Sequence, residues 1–151
     1  MAYLRTTTKA KILGVPRKRF PVILDDNFKV NWLAFYYFYD QLKSGTSQSS
    51  IYTYGQHITD FLSQLEVDGV TIDGVDDAWL TAYKKAIKSR KGVNGRANTE
   101  NYTTQLLRTV INYLYWLESA GYIRGVVGEH KSSKVRVKIH SKGIKHALTT
   151  D

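Results

Sequence analysis

Residues 98–123 read NTENYTTQLLRTVINYLYWLESAGYI, and the rest of the chain is best understood from this stretch. Tyr102, Leu106, Val110, Tyr113 and Leu117 recur every three or four residues, the spacing that lines one stripe of an α-helix. Asn101, Gln105, Arg108 and Asn112 repeat at the same spacing on another face, which is polar, long-armed and free of acids. Asn98 or Thr99 can cap the start by accepting a hydrogen bond from a free backbone N–H, and Gly121 can end the helix because it tolerates positive φ. Such a helix suits a place on a small core from which it reads something outside. A merely solvated polar stripe is the plain alternative.

The loop before it, SRKGVNGRANT, is strongly basic and rich in Gly and Asn. A third helix precedes that loop. It begins near Val75, with Asp76 and Asp77 placed against the positive helix end and Trp79, Leu80, Tyr83 and Ile87 as apolar contacts. Asp68-Gly69 and Asp73-Gly74 are turn dipeptides, with Val70 and Ile72 between them as loop anchors. A second helix is expected from about Ser49 to Glu66. It buries Ile51, Tyr54, Ile58, Phe61, Leu62 and Leu65, with Ser49, Thr53, Gln56 and Asp60 opposite. A first helix is expected from about Phe28 to Lys43. Its apolar stripe is Trp32, Phe35, Tyr36 and Tyr39, and Asp25, Asp26 and Asn27 are its cap candidates. Pro21 to Leu24 suits a short strand. Residues 1–20, with Pro16 and Pro21 bracketing RKRF, read as a basic, loosely structured arm. Beyond Ile123, KVRVKIH at 134–140 alternates basic and apolar residues with a strand period, which must pair or remain an extended linker.

The 151 residues suit one domain with tails, and 42% hydrophobic content is enough for a core. No cysteine is present, which excludes disulfides and thiolate metal sites. The longest all-apolar run, Trp32 to Tyr39, is too short to span a bilayer, and the N-terminus lacks a signal-peptide core. A cytoplasmic, nucleoid-associated protein is the expectation.

The formal charge is +9, and its distribution is informative. Residues 1–20, 84–96 and 131–146 hold 18 of the 22 Lys and Arg and no acid at all. Segregation of this kind builds a positive field suited to a polyanion. No helix pairs a strongly basic face with an exposed apolar one, so a membrane surface ranks low.

Catalytic patterns are missing. No phosphate-cradling glycine loop or nucleophile elbow occurs. His57, His130, His140 and His146 do not show metal-ligand spacing with nearby acids. Three of them sit in the basic tail, where phosphate contact or solvation is the expectation. Asp25/Asp26 and Asp76/Asp77 lie at helix starts, where capping explains them. No metal and no cofactor is expected. Basic arms and loops can neutralise phosphates, and Asn, Gln and Arg on a helix can bond base edges. Tyr52 and Tyr115 could pack on sugars or fill the core.

Two segments carry a resemblance to a known family. Ser50, Tyr54, Ile58, Phe61 and Leu65 resemble the T-x3-Y-x3-L-x2-F-x3-L helix in the core-binding domain of tyrosine recombinases, the phage-type integrases. Thr99, Leu106, Val110, Tyr113, Trp116-Leu117, Gly121 and Ile123 resemble that domain's last helix, and Val75-Asp76-Asp77 to Tyr83 resembles the short helix between them. The departures are Ser50 in place of Thr, and Arg124-Gly125-Val126-Val127 where the family often has Asn-Pro. The resemblance implies an all-α fold: a compact, SAM-like bundle of about four helices over residues 21–125. A basic N-terminal arm over 1–20 and an extended basic linker over 126–151 would flank it. It also implies double-stranded DNA as partner, clamped on one side, together with other recombinase protomers. A separate catalytic domain with an Arg, a Lys, a His-x-x-Arg and a nucleophilic Tyr would hold the other side. No His-x-x-Arg occurs in these 151 residues, and no catalytic residue is assigned. Ala147-Leu148-Thr149-Thr150-Asp151 resembles the L-T-x-x-E entry into that domain, so the sequence is expected to be a piece ending at the domain boundary.

The candidate DNA-binding residues are Arg17, Lys18 and Arg19 in the arm and Ser49, Thr53 and Gln56 on the second helix. Lys88, Lys91 and Arg96 follow the third helix, Asn101, Gln105 and Arg108 lie on the fourth, and Lys134, Arg136 and Lys138 lie in the tail. The resemblance sets the fourth helix against the major groove. The alternatives are a stand-alone helical DNA-binding regulator and a protein-interaction bundle.

Overall fold

A computed structural model describes residues 1–90, 98–140 and 143–149; Lys91 and Arg96 lie outside the described residues. The chain divides into two compact units, Met1–Asp68 and Gly69–Asp151.

The first unit holds β1 (Tyr3–Thr6), β2 (Lys11–Ile12), β3 (Val15–Pro16), β4 (Pro21–Leu24), α1 (Trp32–Lys43) and α2 (Gln48–Asp68). The expectation of a loosely structured arm over residues 1–20 is therefore corrected. β1 pairs antiparallel with β4, Tyr3 opposite Leu24 and Thr6 opposite Pro21. Between them β2 and β3 form a small hairpin whose turn residues, Leu13 and Gly14, have φ of 54° and 73°. Two positive φ values in a two-residue loop let the strands keep their natural twist. Thr7 joins the ends: its N–H donates to the Phe20 carbonyl at 2.9 Å, and its hydroxyl donates to the Arg17 carbonyl at 2.8 Å. Phe20 and Ile23 are fully buried. The β1–β4 pair packs on α2 at Gly55, where an added Cβ would stand 2.8 Å from Pro21 Cβ.

Two details of α1 differ from the sequence reading. The cap is Asn31, whose side chain accepts from Ala34 N at 3.1 Å. Asp25 instead accepts the N–H groups of Asn27 and Lys29, closing a turn that holds Phe28 at φ 59°. The buried face is Ala34, Tyr37 and Phe38, whereas Trp32 and Tyr36 are 56% and 47% exposed. Every residue from Trp32 to Tyr39 is apolar. Periodicity there has no phase, and packing against β4 and α2 chooses the inward side. In α2, Ile51, Ile58, Phe61 and Leu65 are buried as expected, joined by Gly55 and His57; Tyr54 and Leu62 are only half-buried.

The second unit opens with a 3-10 turn, Ile72–Gly74, followed by α3 (Asp77–Ser89) and α4 (Glu100–Ser119). Asp76 caps α3, accepting from Trp79 N at 2.7 Å, and Leu80, Tyr83 and Ile87 are buried. Thr99 caps α4, accepting from Tyr102 N at 3.1 Å, while the Asn98 amide donates to the Ile87 carbonyl at 3.0 Å. Gly121, at φ 84°, takes the conformation expected of a helix stop. Leu106, Val110, Tyr113 and Leu117 are buried, but so are Thr103, Leu107, Ile111 and Leu114, so α4 is covered well beyond one stripe. Tyr102, expected inside, is 41% exposed.

The C-terminal stretch is not an extended linker. The Glu118 carboxylate accepts the N–H groups of Gly125, Val126 and Val127 at 3.1, 2.8 and 3.0 Å, turning the chain back on α4. β5 (Val127–Gly128) then pairs in parallel with β6 (Val135–Arg136). β7 (Lys138–His140) pairs antiparallel with β8 (Gly143–Lys145), and a 3-10 turn, Ala147–Thr149, follows and packs on α4. The alternation in KVRVKIH holds as far as Lys138, with Val135 and Val137 buried and Lys134, Arg136 and Lys138 exposed, but Ile139 is 40% exposed. The fold is thus not purely all-α. Among the described residues it has four helices and four two-stranded sheets. Among them no helix is long and apolar enough to cross a membrane.

Candidate nucleic-acid interface

The most regular polar surface lies on α4. Asn101, Gln105, Arg108 and Asn112 are all exposed on a helix that is otherwise largely buried. Their spacing sets them in one line about 16 Å long at 1.5 Å per residue. Each can donate hydrogen bonds, and none brings a negative charge.

The surroundings of this stripe change the status of several candidates. Glu100, in the first turn of α4, forms ion pairs with Lys84 at 3.3 Å and with Lys88. The hydrogen bond from Lys88 above all holds the Glu100 carboxyl below its usual range; desolvation opposes it, and the hydrogen bond from Lys84 and the two ammonium charges add to the lowering. The basic block at 84–96 is acid-free in sequence, but its Lys84 and Lys88 meet an acid in space, and Lys88 is partly neutralised. Arg108 Nη2 donates to the Thr149 carbonyl at 3.2 Å, so this guanidinium is already engaged on one edge. Lys134 Nζ donates to the Asp73 carbonyl at 2.8 Å. The candidate role of Lys134 is thereby reduced, because its ammonium closes the loop ahead of α3.

In the first unit the structure brings the 17–19 turn against the start of α2. The Gln48 side chain donates to the Lys18 carbonyl, and the Arg19 guanidinium lies over the Tyr52 ring, 5.5 Å from its centroid. Arg19 has φ 64°, which turns the chain sharply beside this contact. Lys18, Ser49 and Gln56 are exposed, and Thr53 is half-buried with its hydroxyl on the Ser49 carbonyl at 3.2 Å. Arg17 turns inward, its Nε donating to the Ile12 carbonyl at 2.9 Å. It braces the β2–β3 hairpin rather than presenting its charge.

Arg136 and Lys138 remain exposed and line an open cleft of about 790 Å³ together with His140, Lys145 and His146. The sequence reading missed Lys145 as a neighbour of Lys138. Gly143, a turn residue between two basic apolar runs, was the available signal for the hairpin that joins them.

The histidines divide. His146, expected to be solvated or on phosphate, is buried, its Nε2 2.5 Å from Asp77 Oδ1. Its Nδ1 accepts from Leu148 N at 3.0 Å. A nitrogen that accepts carries no proton, so Nε2 is the donor toward Asp77. This pair ties the C-terminal turn to the first turn of α3. His57 is buried in α2, and burial pushes its pKa below the ordinary value, with Asp60 opposing in part. Among the described residues no group of three His, Cys, Asp or Glu is gathered as a metal site.

No family model, no curated protein and no solved structure matches this chain.

Proposed function

We propose that this chain binds duplex DNA as the SAM-like core-binding part of a tyrosine recombinase, holding its target for strand exchange. The observation that carries the reading is the α4 stripe: four exposed hydrogen-bonding side chains one turn apart, without an acid, on a helix whose other faces are covered. Such side chains suit base edges in a major groove. Lys18 and Arg19 on the first unit and Arg136 and Lys138 on the second supply exposed cations suited to phosphates. The ordered set Ser50, Tyr54, Ile58, Phe61 and Leu65 and the pattern from Thr99 to Ile123 support the recombinase assignment. Protomers of the same recombinase are the further partners, and the nucleoid is the place.

Fluorescence anisotropy on labelled duplexes at increasing salt tests DNA binding. With about half a dozen phosphates neutralised, log K falls against log salt with a slope of roughly −5. Affinity that stays flat from low to moderate salt removes this reading. A coding frame that continues into an Arg, Lys, His-x-x-Arg and Tyr set separates a recombinase from a stand-alone regulator.

A second reading has its own observation. Trp32 and Tyr36, one turn apart on α1, are 56% and 47% exposed, and Phe28, in the turn before the helix, is 72% exposed. An aromatic stripe of that exposure suits a protein-interaction bundle. Salt-insensitive self-association or loss of DNA binding favours it.

A further inference from the structure

The ribbon of β7 and β8 contains an arrangement that is unfavourable on its own. Lys138 is the direct cross-strand partner of Lys145. Residues directly opposite in an antiparallel pair hold their Cβ atoms about 5 Å apart on one face, and like charges there destabilise the pair. Both lysines are exposed, and both line the same cleft of about 790 Å³. Arg136 and His140 line it too, and they alternate with Lys138 along one edge of the chain. Glu129 is the only carboxylate among the described residues that line it. Among the described residues, Arg136, Lys138 and Lys145 make no ion pair with it or with any other acid.

His146 forms the wall of this cleft rather than one of its arms, because both of its ring nitrogens are committed within the fold. The cations that face the opening are therefore Lys138, Lys145 and Arg136. A ribbon with a purely structural role would be better built with an opposite-charge pair across its strands. Lysines that converge on an open cleft become favourable when an anion sits between them, since each ammonium then gains a charge-assisted hydrogen bond.

We propose that this cleft is a phosphate-binding site in which Lys138 and Lys145 hold one phosphate group between them, with Arg136 beside it. The phosphate comes from a DNA strand or from a free oligophosphate. The DNA source rests on the DNA-binding reading above, whereas the anion site itself rests on the ribbon.

The test uses the full chain, ¹⁵N-labelled, in chloride buffer, titrated with pyrophosphate and followed by amide shifts and thermal melting. Saturable shifts confined to residues around 136–146, together with a raised Tm, are expected. The variant Lys145→Glu creates an opposite-charge pair across the strands. It should raise the Tm of the free protein while weakening pyrophosphate binding tenfold or more. Lys145→Met, without charge, should weaken binding and leave the Tm unchanged or slightly raised. A purely structural role for Lys145 does not produce this opposition between stability and binding. Duplex DNA is then added to the pyrophosphate-loaded protein. Displacement assigns the site to a DNA strand. Pyrophosphate binding without displacement keeps the site and makes free oligophosphate its ligand, and absence of any DNA binding is scored separately against the DNA reading. No saturable pyrophosphate shift, or equal binding by Lys145→Glu, overturns the proposal.

Discussion

Arg108 Nη2 donates to the carbonyl oxygen of Thr149 at 3.2 Å, joining the middle of α4 to the C-terminal 3-10 turn across 41 positions in sequence. Lys84 Nζ lies 3.4 Å from the neighbouring Leu148 carbonyl, and the Asp77–His146 pair holds the start of the same turn. A residue proposed above to read bases thus fastens its own fold, and comparison with Gln105 separates the fastening from the proposed reading.

Gln105 is exposed one turn before Arg108. Gln105→Ala should leave stability within about 0.5 kcal/mol. On the DNA reading it should remove roughly 1–3 kcal/mol of preference for a specific duplex over random DNA. Arg108→Ala should lower the discrimination similarly and also reduce stability by about 1 kcal/mol, the net value of a typical hydrogen bond. Paired denaturant melts and competition binding check both. Equal losses on specific and random DNA for both variants would take base reading away from α4.

Glu100 holds Lys84 and Lys88. Glu100→Gln should release them, raise DNA affinity and steepen the salt slope by about 1–2, near 0.9 per added phosphate contact. The loss of an acid from the first turn should weaken α4 only slightly. An unchanged slope would show that neither lysine reaches a phosphate.

His57 has a pKa below its ordinary 6.5 because it is buried. Below pH 6.5 the unfolded chain takes up a proton there that the folded chain refuses. Its effect is absent above that pH, and stability drops as pH falls toward the folded value, by at most about 1.4 kcal/mol per pH unit. Denaturant midpoints of the protein and of His57→Gln, taken from neutral pH down to about pH 5, should converge as acid is added. Parallel curves would remove His57 as the source.

Gly55 lies inside α2, where Gly→Ala ordinarily stabilises a helix by about 1 kcal/mol. Here the new Cβ would meet Pro21 Cβ at 2.8 Å and Leu4 Cδ1 at 3.2 Å. The ring of Pro21 cannot yield as a flexible side chain would. Gly55→Ala should therefore cost about 1–3 kcal/mol, read as a lowered thermal midpoint. A stabilised variant would mean that the β1–β4 pair does not press on α2 as described.

The sequence by itself determined the four helices and the polar line on α4, because a 3.6-residue period with a gap in it carries both an element and a direction. The caps were legible as pairs, Asp76/Asp77 and Asn98 or Thr99, because a cap acts only three residues along the chain; the structure chooses Asp76 and Thr99. Pro21 to Leu24 was legible as a strand, but not its partner. The N-terminal hairpins escaped notice because their two-residue turn is Leu13-Gly14 rather than an Asn-Gly or Asp-Gly pair, and pairing of Tyr3 with Leu24 spans the whole segment. The inward face of α1 was undecidable from eight consecutive apolar residues and was chosen by the sheet and helix beside it. Charge was the least transferable reading. The blocks around Lys88 and Lys134 and the stripe around Arg108 are acid-free along the chain, yet the Glu100 carboxylate and the backbone carbonyls of Asp73 and Thr149 meet these cations in space. Only tertiary structure settles which cations are free, because Coulomb attraction and hydrogen bonding act over a few ångströms regardless of separation in sequence.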